Sequence, residues 1–289
     1  MDKKFIKFWT PMSGPCSGQV PYNRAMDTMA RILSAFLVAI LAVAPLAAQN
    51  PLAPTGTLRA AFLGTNPSLG RVDAKTGSVT GPVADMVKEL ARRMGVPYAL
   101  IPVPDARVVA ERVLNNTADL GFMAYNAGRA KEVDFTEAWL LMPNSFLVRA
   151  DSPIQKVEDA DKTGVKIIAA KNDTQDVYLS AHLKNTSVTP VPKVPERDEV
   201  QSLLLGGKID ALAANRQRLF DIAGDDNRLR IVADDFFVAG QAIAITKGDA
   251  SRIAALNKLV EEILTTDTVK SSIDRAGLRG VYPAKPKGH

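Results

Sequence analysis

"GPVADMVKELARRMGVPYALIPV", residues 81–103, carries the architecture of this 289-residue chain. Pro82 opens it, and Val83, Met86, Val87, Leu90 and Met94 recur at three- and four-residue spacing. That pattern predicts a helix with one apolar face. Gly95 stops the helix, and "YALIPV" follows as a strand. On the other side "TLRAAFL" (57–63) reads as a buried strand, reached through a Gly/Asn/Pro/Ser loop. Downstream, "DARVVAERVLNN" is a helix with Asp105 as N-cap, and "ADLGFMAY" is a third strand. Strand–helix–strand repetition at this spacing requires parallel pairing, hence an α/β sheet.

The pattern returns in the second half. "VKIIAA" (165–170) is a strand, "TQDVYLSAHLKN" a helix, "SVTPVPK" extended and "EVQSLLLGG" a helix. "KIDALAA" is a strand, "RQRLFDIAG" a helix and "QAIAITKGD" a strand. A terminal helix carries Ile253, Leu256, Val260 and Ile263 on one side. Two similar α/β halves predict two lobes, residues 55–146 with 242–289 and residues 147–241. The stretches 144–153 and 236–245 are the expected crossings. In open α/β sheets ligands sit beyond the C-terminal strand ends. Here those ends are "GTNPSLG", "YNAGR", "KNDTQ" and "LAANR", facing a common cleft where hinge closure is expected.

"ARILSAFLVAILAVAPLAA" (30–48) has a basic lead, an apolar run and small residues at its end. It predicts a cleaved secretory signal within residues 1–48, with a retained anchor helix as the alternative. Residues 1–25 precede that order, and Met26 or Met29 would make a better start. Five of the 36 Lys/Arg (Lys3, Lys4, Lys7, Arg24, Arg31) and two of the 31 Asp/Glu (Asp2, Asp27) precede residue 49. The remaining 31 basic and 29 acidic residues predict no nucleic-acid footprint. Cys16 is the only cysteine, so no disulfide or thiol nucleophile is available after the signal. With His182 and His289 the only histidines, no metal site, cofactor or His-based catalyst is expected. His182 reads as an ordinary helical residue.

Seven segments in order, "LRAAF", "GPVADMVKELARRMGV", "LNNTADLGFMAYNAGRAKEVDFT", "FLVRADSPI", "VKIIAAKNDTQDVYL", "GGKIDALAAN" and "AIAITKGD", resemble the bacterial extracellular solute-binding proteins of the polar amino acid type, family 3. The resemblance implies a two-lobed periplasmic binding protein with a two-strand hinge. It further implies a monomer that closes on a small solute, performs no chemistry and delivers the solute to an inner-membrane ABC permease. In that family the third-strand loop reads roughly S-x-S-I-T-x-x-R before a V-D-F-S-like segment. Its arginine clamps the ligand carboxylate. The matching residue here is Arg129, whose planar fork suits a carboxylate. A surface ion pair with Glu132 is the bland alternative. Asn126 stands for the family threonine, Tyr125 offers a face or a hydroxyl, and Phe122 and Ala124 replace serines. The second-lobe loop, G-T-T-Q-E in the family, is matched at Thr174 and Gln175, with Asn172 and Asp173 replacing Gly and Thr.

The family acid that receives an α-ammonium falls at Asn215. Together with Ala124 this removes much of the usual ammonium site, so a carboxylate or other small anion fits better than a standard amino acid. Asp173 reads either as a helix N-cap or as a ligand-facing carboxylate that would repel an anion. Trp139 is expected in the core, Asp85 on a helix surface, and Asp119 and Asp210 in structural roles. Two other functions stay open. A dehydratase-like enzyme on the same fold would use Asp173 or Glu137 as an acid, provided burial raised its pKa. An accessory or sensory binding protein is the third.

Overall fold

The computed structural model describes residues 50–286; the expected signal segment lies outside them. The sheet begins with strand β1 (Leu58–Leu63). A two-residue-per-strand hairpin, β2 (Arg71–Val72) and β3 (Val79–Thr80), fills the following loop. Helix α1 (Pro82–Met94) starts with Pro82 and ends at Gly95, whose φ of 67° is the left-handed conformation that a side chain would oppose. It buries Val83, Met86, Val87 and Leu90, the predicted face. Then come β4 (Tyr98–Val103), α2 (Ala106–Leu114) and β5 (Leu120–Ala124). Asp105 caps α2 by accepting from Val108 N at 3.0 Å.

β1 pairs parallel with β4 on one side and β5 on the other. Period-two alternation lets it serve two cores. Ala60 and Phe62 pack with Leu90 and Trp139 on one face, and Ala61 packs with Val109 and Met123 on the other. Trp139 is fully buried, edge-on to Phe122.

After β6 (Val133–Phe135) the chain crosses on β7 (Leu140–Arg149). The second lobe repeats the first: β8 (Ile167–Ala170), α3 (Thr174–His182), β9 (Val188–Val191), α4 (Arg197–Leu205), β10 (Ala211–Asn215) and α5 (Arg216–Ala223). β8 pairs parallel with β9 and β10, the same middle-strand arrangement as β1. The lobes share a further detail. Asp119, just before β5, accepts from Arg59 N at 2.8 Å, and Asp210, just before β10, accepts from Lys166 N at 2.9 Å. Both aspartates tie strand starts together at the end of each sheet away from the cleft, the structural role expected of them.

The chain returns through β11 (Leu229–Ile231) and β12 (Phe237–Thr246). β7 and β12 pair antiparallel from Asn144–Phe237 to Leu140–Gln241 and join the half-sheets into one order, β4-β1-β5-β12-β7-β10-β8-β9. β7 begins at Leu140, four residues before the expected crossing. Helices α6 (Ala250–Leu264) and α7 (Thr268–Arg275) cover the first lobe. Asp85 accepts from Ser272 Oγ and Arg275 Nη2, tying α7 to α1.

Several elements escape the sequence reading: the short strands β2, β3, β6 and β11, the helix α7 and, at the far end, a last short strand. The C-terminal β13 (Tyr282–Pro283) adds to β7 at Leu141 and Leu140. On the way, Arg279 N donates to Gln217 Oε1 of α5 at 2.5 Å, and its guanidinium lies 4.3 Å over the Phe220 ring. Residues past α7 therefore reach across from the first lobe to the second. Among the described residues, no helix is long and apolar enough to cross a membrane.

Candidate functional site

The C-terminal ends of β5 and β10 and the β8–α3 turn converge on one cleft floored by β7 and β12. Arg129 stands on a 3-10 turn, Arg129–Lys131, directly after β5. Asn126 builds that turn: its Oδ1 accepts from Gly128 N at 2.8 Å and Arg129 N at 3.3 Å. The Arg129 guanidinium is half-buried and donates once, from Nη1 to the Ala124 carbonyl at 3.2 Å. It forms no ion pair with Glu132. Burial depresses its pKa, while the nearby Asp173 and Asp105 carboxylates work against that depression. Arginine nonetheless stays protonated. A charged fork with most of its donors unused faces the cavity.

Asp173 faces the same cavity from the second lobe. Its backbone occupies the N-cap position of α3, yet its side chain makes no capping bond. The N-cap reading is thus corrected. Asn172 before it takes a φ of 63°, a left-handed step that asparagine tolerates. No hydrogen bond reaches the Asp173 carboxyl. Its pKa is pushed up to about 6, chiefly by burial; Arg129 lowers it, and Asp176 and Asp105 raise it further. The two opposed charges act on one another without forming an ion pair. A partly buried, unbonded carboxyl opposite a guanidinium is the kind of perturbed pair that marks functional clefts.

Thr174, first residue of α3, lines the cavity with its hydroxyl unbonded. Asn215 lines it too, but its Oδ1 accepts from Arg218 N at 3.0 Å as the cap of α5 and from Ser68 Oγ at 3.4 Å. Ser68 belongs to the loop after β1, so this contact spans the cleft. The structure brings Arg129, Asp173, Thr174 and Asn215 together. Asn126 and Tyr125 stand beside the cavity instead. Asn126 Oδ1 is engaged within its own turn, and Tyr125 is exposed, edge-on to Phe135.

Sequence reasoning missed Gln241, Asn144 and Asn66, and it gave Gln175 no role. Gln241 is 4% exposed, lines the cavity, and its side-chain amide bonds to no protein group. Asn144 Nδ2 donates to the Met142 carbonyl at 2.8 Å, and its Oδ1 accepts from Gln175 Nε2 at 2.5 Å. A polar residue inside an apolar run, as in "LLMPNSFLV" and "QAIAI", was the available signal. Met123, Met142, Leu63 and Leu69 supply apolar wall, with no aromatic ring among the lining residues. The cavity, open on one side, has a volume of about 50 Å³, room for roughly four waters.

The other residues noted in the sequence lie elsewhere. Glu137 is exposed and borders a separate surface pocket with Asn257 and Glu261. His182 stacks on Tyr178 and bonds its carbonyl through Nδ1 at 2.7 Å. Among the described residues, no group of three or more His, Cys, Asp or Glu is placed to hold a metal.

The profile of the bacterial extracellular solute-binding proteins, family 3, matches residues 58–276. The chain belongs to that family. It is 29% identical over 174 residues to the glutamine-binding protein of Geobacillus stearothermophilus, covering 58% of this chain and 64% of that protein. It is 26% identical over 141 residues to the ABC transporter glutamine-binding protein GlnH of Bacillus subtilis strain 168, covering 49% and 50%. The chain thus spans between half and two thirds of these relatives' lengths. A crystal structure of a putative ABC transporter binding component from Wolinella succinogenes, complexed with lysine, superposes with a TM-score of 0.65. It shares 21% identity and covers 76% of this chain and 95% of that one. Family membership and the two-lobed fold are as the resemblance implied.

Proposed function

We propose that this family 3 protein captures a small carboxylate-bearing solute, amino acid-like or organic acid, between its lobes and delivers it to an ABC importer without chemical change. The lobes are residues 55–146 with 242–289 and residues 147–241, closing about the β7–β12 pair. The observation that carries the reading is Arg129: a half-buried guanidinium with one weak carbonyl contact, aimed into a cleft with unbonded Thr174 and Gln241 groups beside it. A carboxylate matches that fork with two parallel hydrogen bonds. The naming of both curated relatives as glutamine-binding proteins, one of an ABC transporter, supports the transport role. The basic lead, apolar run and small residues of 30–48 support capture in the periplasm, with an inner-membrane permease as partner.

A thermal-shift screen over amino acids, organic acids and amides identifies the solute, because only a ligand of the folded state raises Tm. Calorimetry with the best hit should then show Arg129→Ala binding about 2–5 kcal/mol more weakly. Unchanged affinity refutes the assignment.

One observation favours a second reading. A carboxyl with a pKa of about 6, as at Asp173, meets the condition for a general acid on a carboxylate substrate held by Arg129. Recovery of the bound compound unaltered after prolonged incubation, followed by NMR, supports capture; appearance of a product supports catalysis.

A further inference from the structure

Two groups in the cleft have opposite charge and incomplete bonding. Asp173 accepts no hydrogen bond, and Arg129 donates only one. They approach from different lobes and act on one another without touching. If they existed for each other, closure would bring them into a bidentate pair, as Arg59 and Asp119 are at 2.7 Å. Instead a gap remains, bordered by the unbonded amide of Gln241, which is itself 4% exposed. That amide opens onto the cavity with its donors and acceptor free for a solute.

The sign of the surroundings says what that partner carries. Asp105 and Asp176 both act on Asp173 with like charge. Each is already engaged, Asp105 by Val108 N and Asp176 by Asn172 N. Three carboxylates, Asp173 and Asp176 of the second lobe and Asp105 of the first, therefore stand near one guanidinium at the cleft. A simple anion entering there meets Arg129 but also Asp173. Asn215, where a family acid would receive an ammonium, is occupied as the cap of α5.

We propose that Asp173 determines specificity by receiving a cationic amine of the same solute whose carboxylate Arg129 holds, so that the cleft takes a small zwitterion in preference to the matching organic acid. The proposal rests on the Arg129 reading and adds the second anchor. An ammonium between the Asp173 carboxylate and the Gln241 amide oxygen would satisfy both, and the carboxylate end would complete the Arg129 fork. The amine anchor is thereby moved from β10 to the start of α3.

Matched pairs test this by calorimetry at pH 7.5: glycine against acetate, β-alanine against propionate, and γ-aminobutyrate against butyrate. The native chain should bind at least one amine-bearing member at least about tenfold more tightly than its partner. Asp173→Asn should erase that preference, and Asp173→Glu should keep part of it. Arg129→Ala should weaken both members of the pair. Equal binding within every pair by the native chain, or an equal loss for both members in Asp173→Asn, overturns the proposal while leaving Arg129 in place. Failure of every carboxylate to bind the native chain overturns the Arg129 reading and the proposal with it.

Discussion

Asp173→Asn offers a measurement on the ligand-free protein. The pKa of this carboxyl is about 6 in the folded chain against an ordinary value of 3.8. The folded state therefore binds its proton more tightly than the unfolded state does. Stability contributed by the protonated form is fully present below pH 3.8 and is lost as pH rises through about 6. A rise of that size corresponds to at most about 3 kcal/mol. Partial exposure of Asp173 reduces this to on the order of 1–2 kcal/mol. Asparagine keeps the shape and drops the charge, so Asp173→Asn should be more stable than the native chain at pH 7.5 by that amount. For a domain of this size the gain is roughly 3–6 °C in Tm. The two proteins should converge near pH 4. Glu89, Asp159 and Asp226, each held at about 2 by arginine or lysine hydrogen bonds, weaken both proteins in acid and cancel in the difference. Differential scanning calorimetry from pH 4 to pH 8 reads the comparison. A pH-independent difference, or a less stable variant at pH 7.5, would refute the claim that Asp173 is a charge offset only in part.

Asp119→Ala should cost about 3 kcal/mol in urea denaturation, since it strands the buried-side donors of Arg59. Ligand affinity should hardly move, because Asp119 lies at the end of β5 away from the cleft. Gly280→Ala should destabilise by about 1–2 kcal/mol. Gly280 has a φ of 66°, and a Cβ would meet Arg216 Cβ at 2.8 Å. Amide exchange should quicken at Arg279, whose N–H is held by Gln217.

Much of the fold was legible because its signals are local. Pro82, Gly95 and the apolar residues between them define α1 without reference to anything distant. Asp105 as a cap, and a structural role for Asp119 and Asp210, follow from positions in short motifs. Gln241 was not legible in the same way. Its place in the cleft depends on β12 pairing with Ala124 of β5 on one side and Leu140 of β7 on the other. The antiparallel return of a strand more than a hundred residues away sets that register. β13 escaped for the same reason, being two residues long and stabilised only by an existing strand.

The two helix starts at the cleft show where local rules stop. Asp173 and Asn215 both precede helices, and both residue types are good caps. Only Asn215 caps, through Arg218 N. Had Asp173 capped α3, the backbone amides of the first turn would have neutralised it locally, and its pKa would have been lowered. Its pKa is raised instead, chiefly by burial, and its side chain lines the cavity without capping the helix. A buried carboxylate that Arg129 offsets only in part costs stability, so its orientation calls for a further partner. A solute amine supplies one, and the asparagine at position 215 then marks a cation site that has moved.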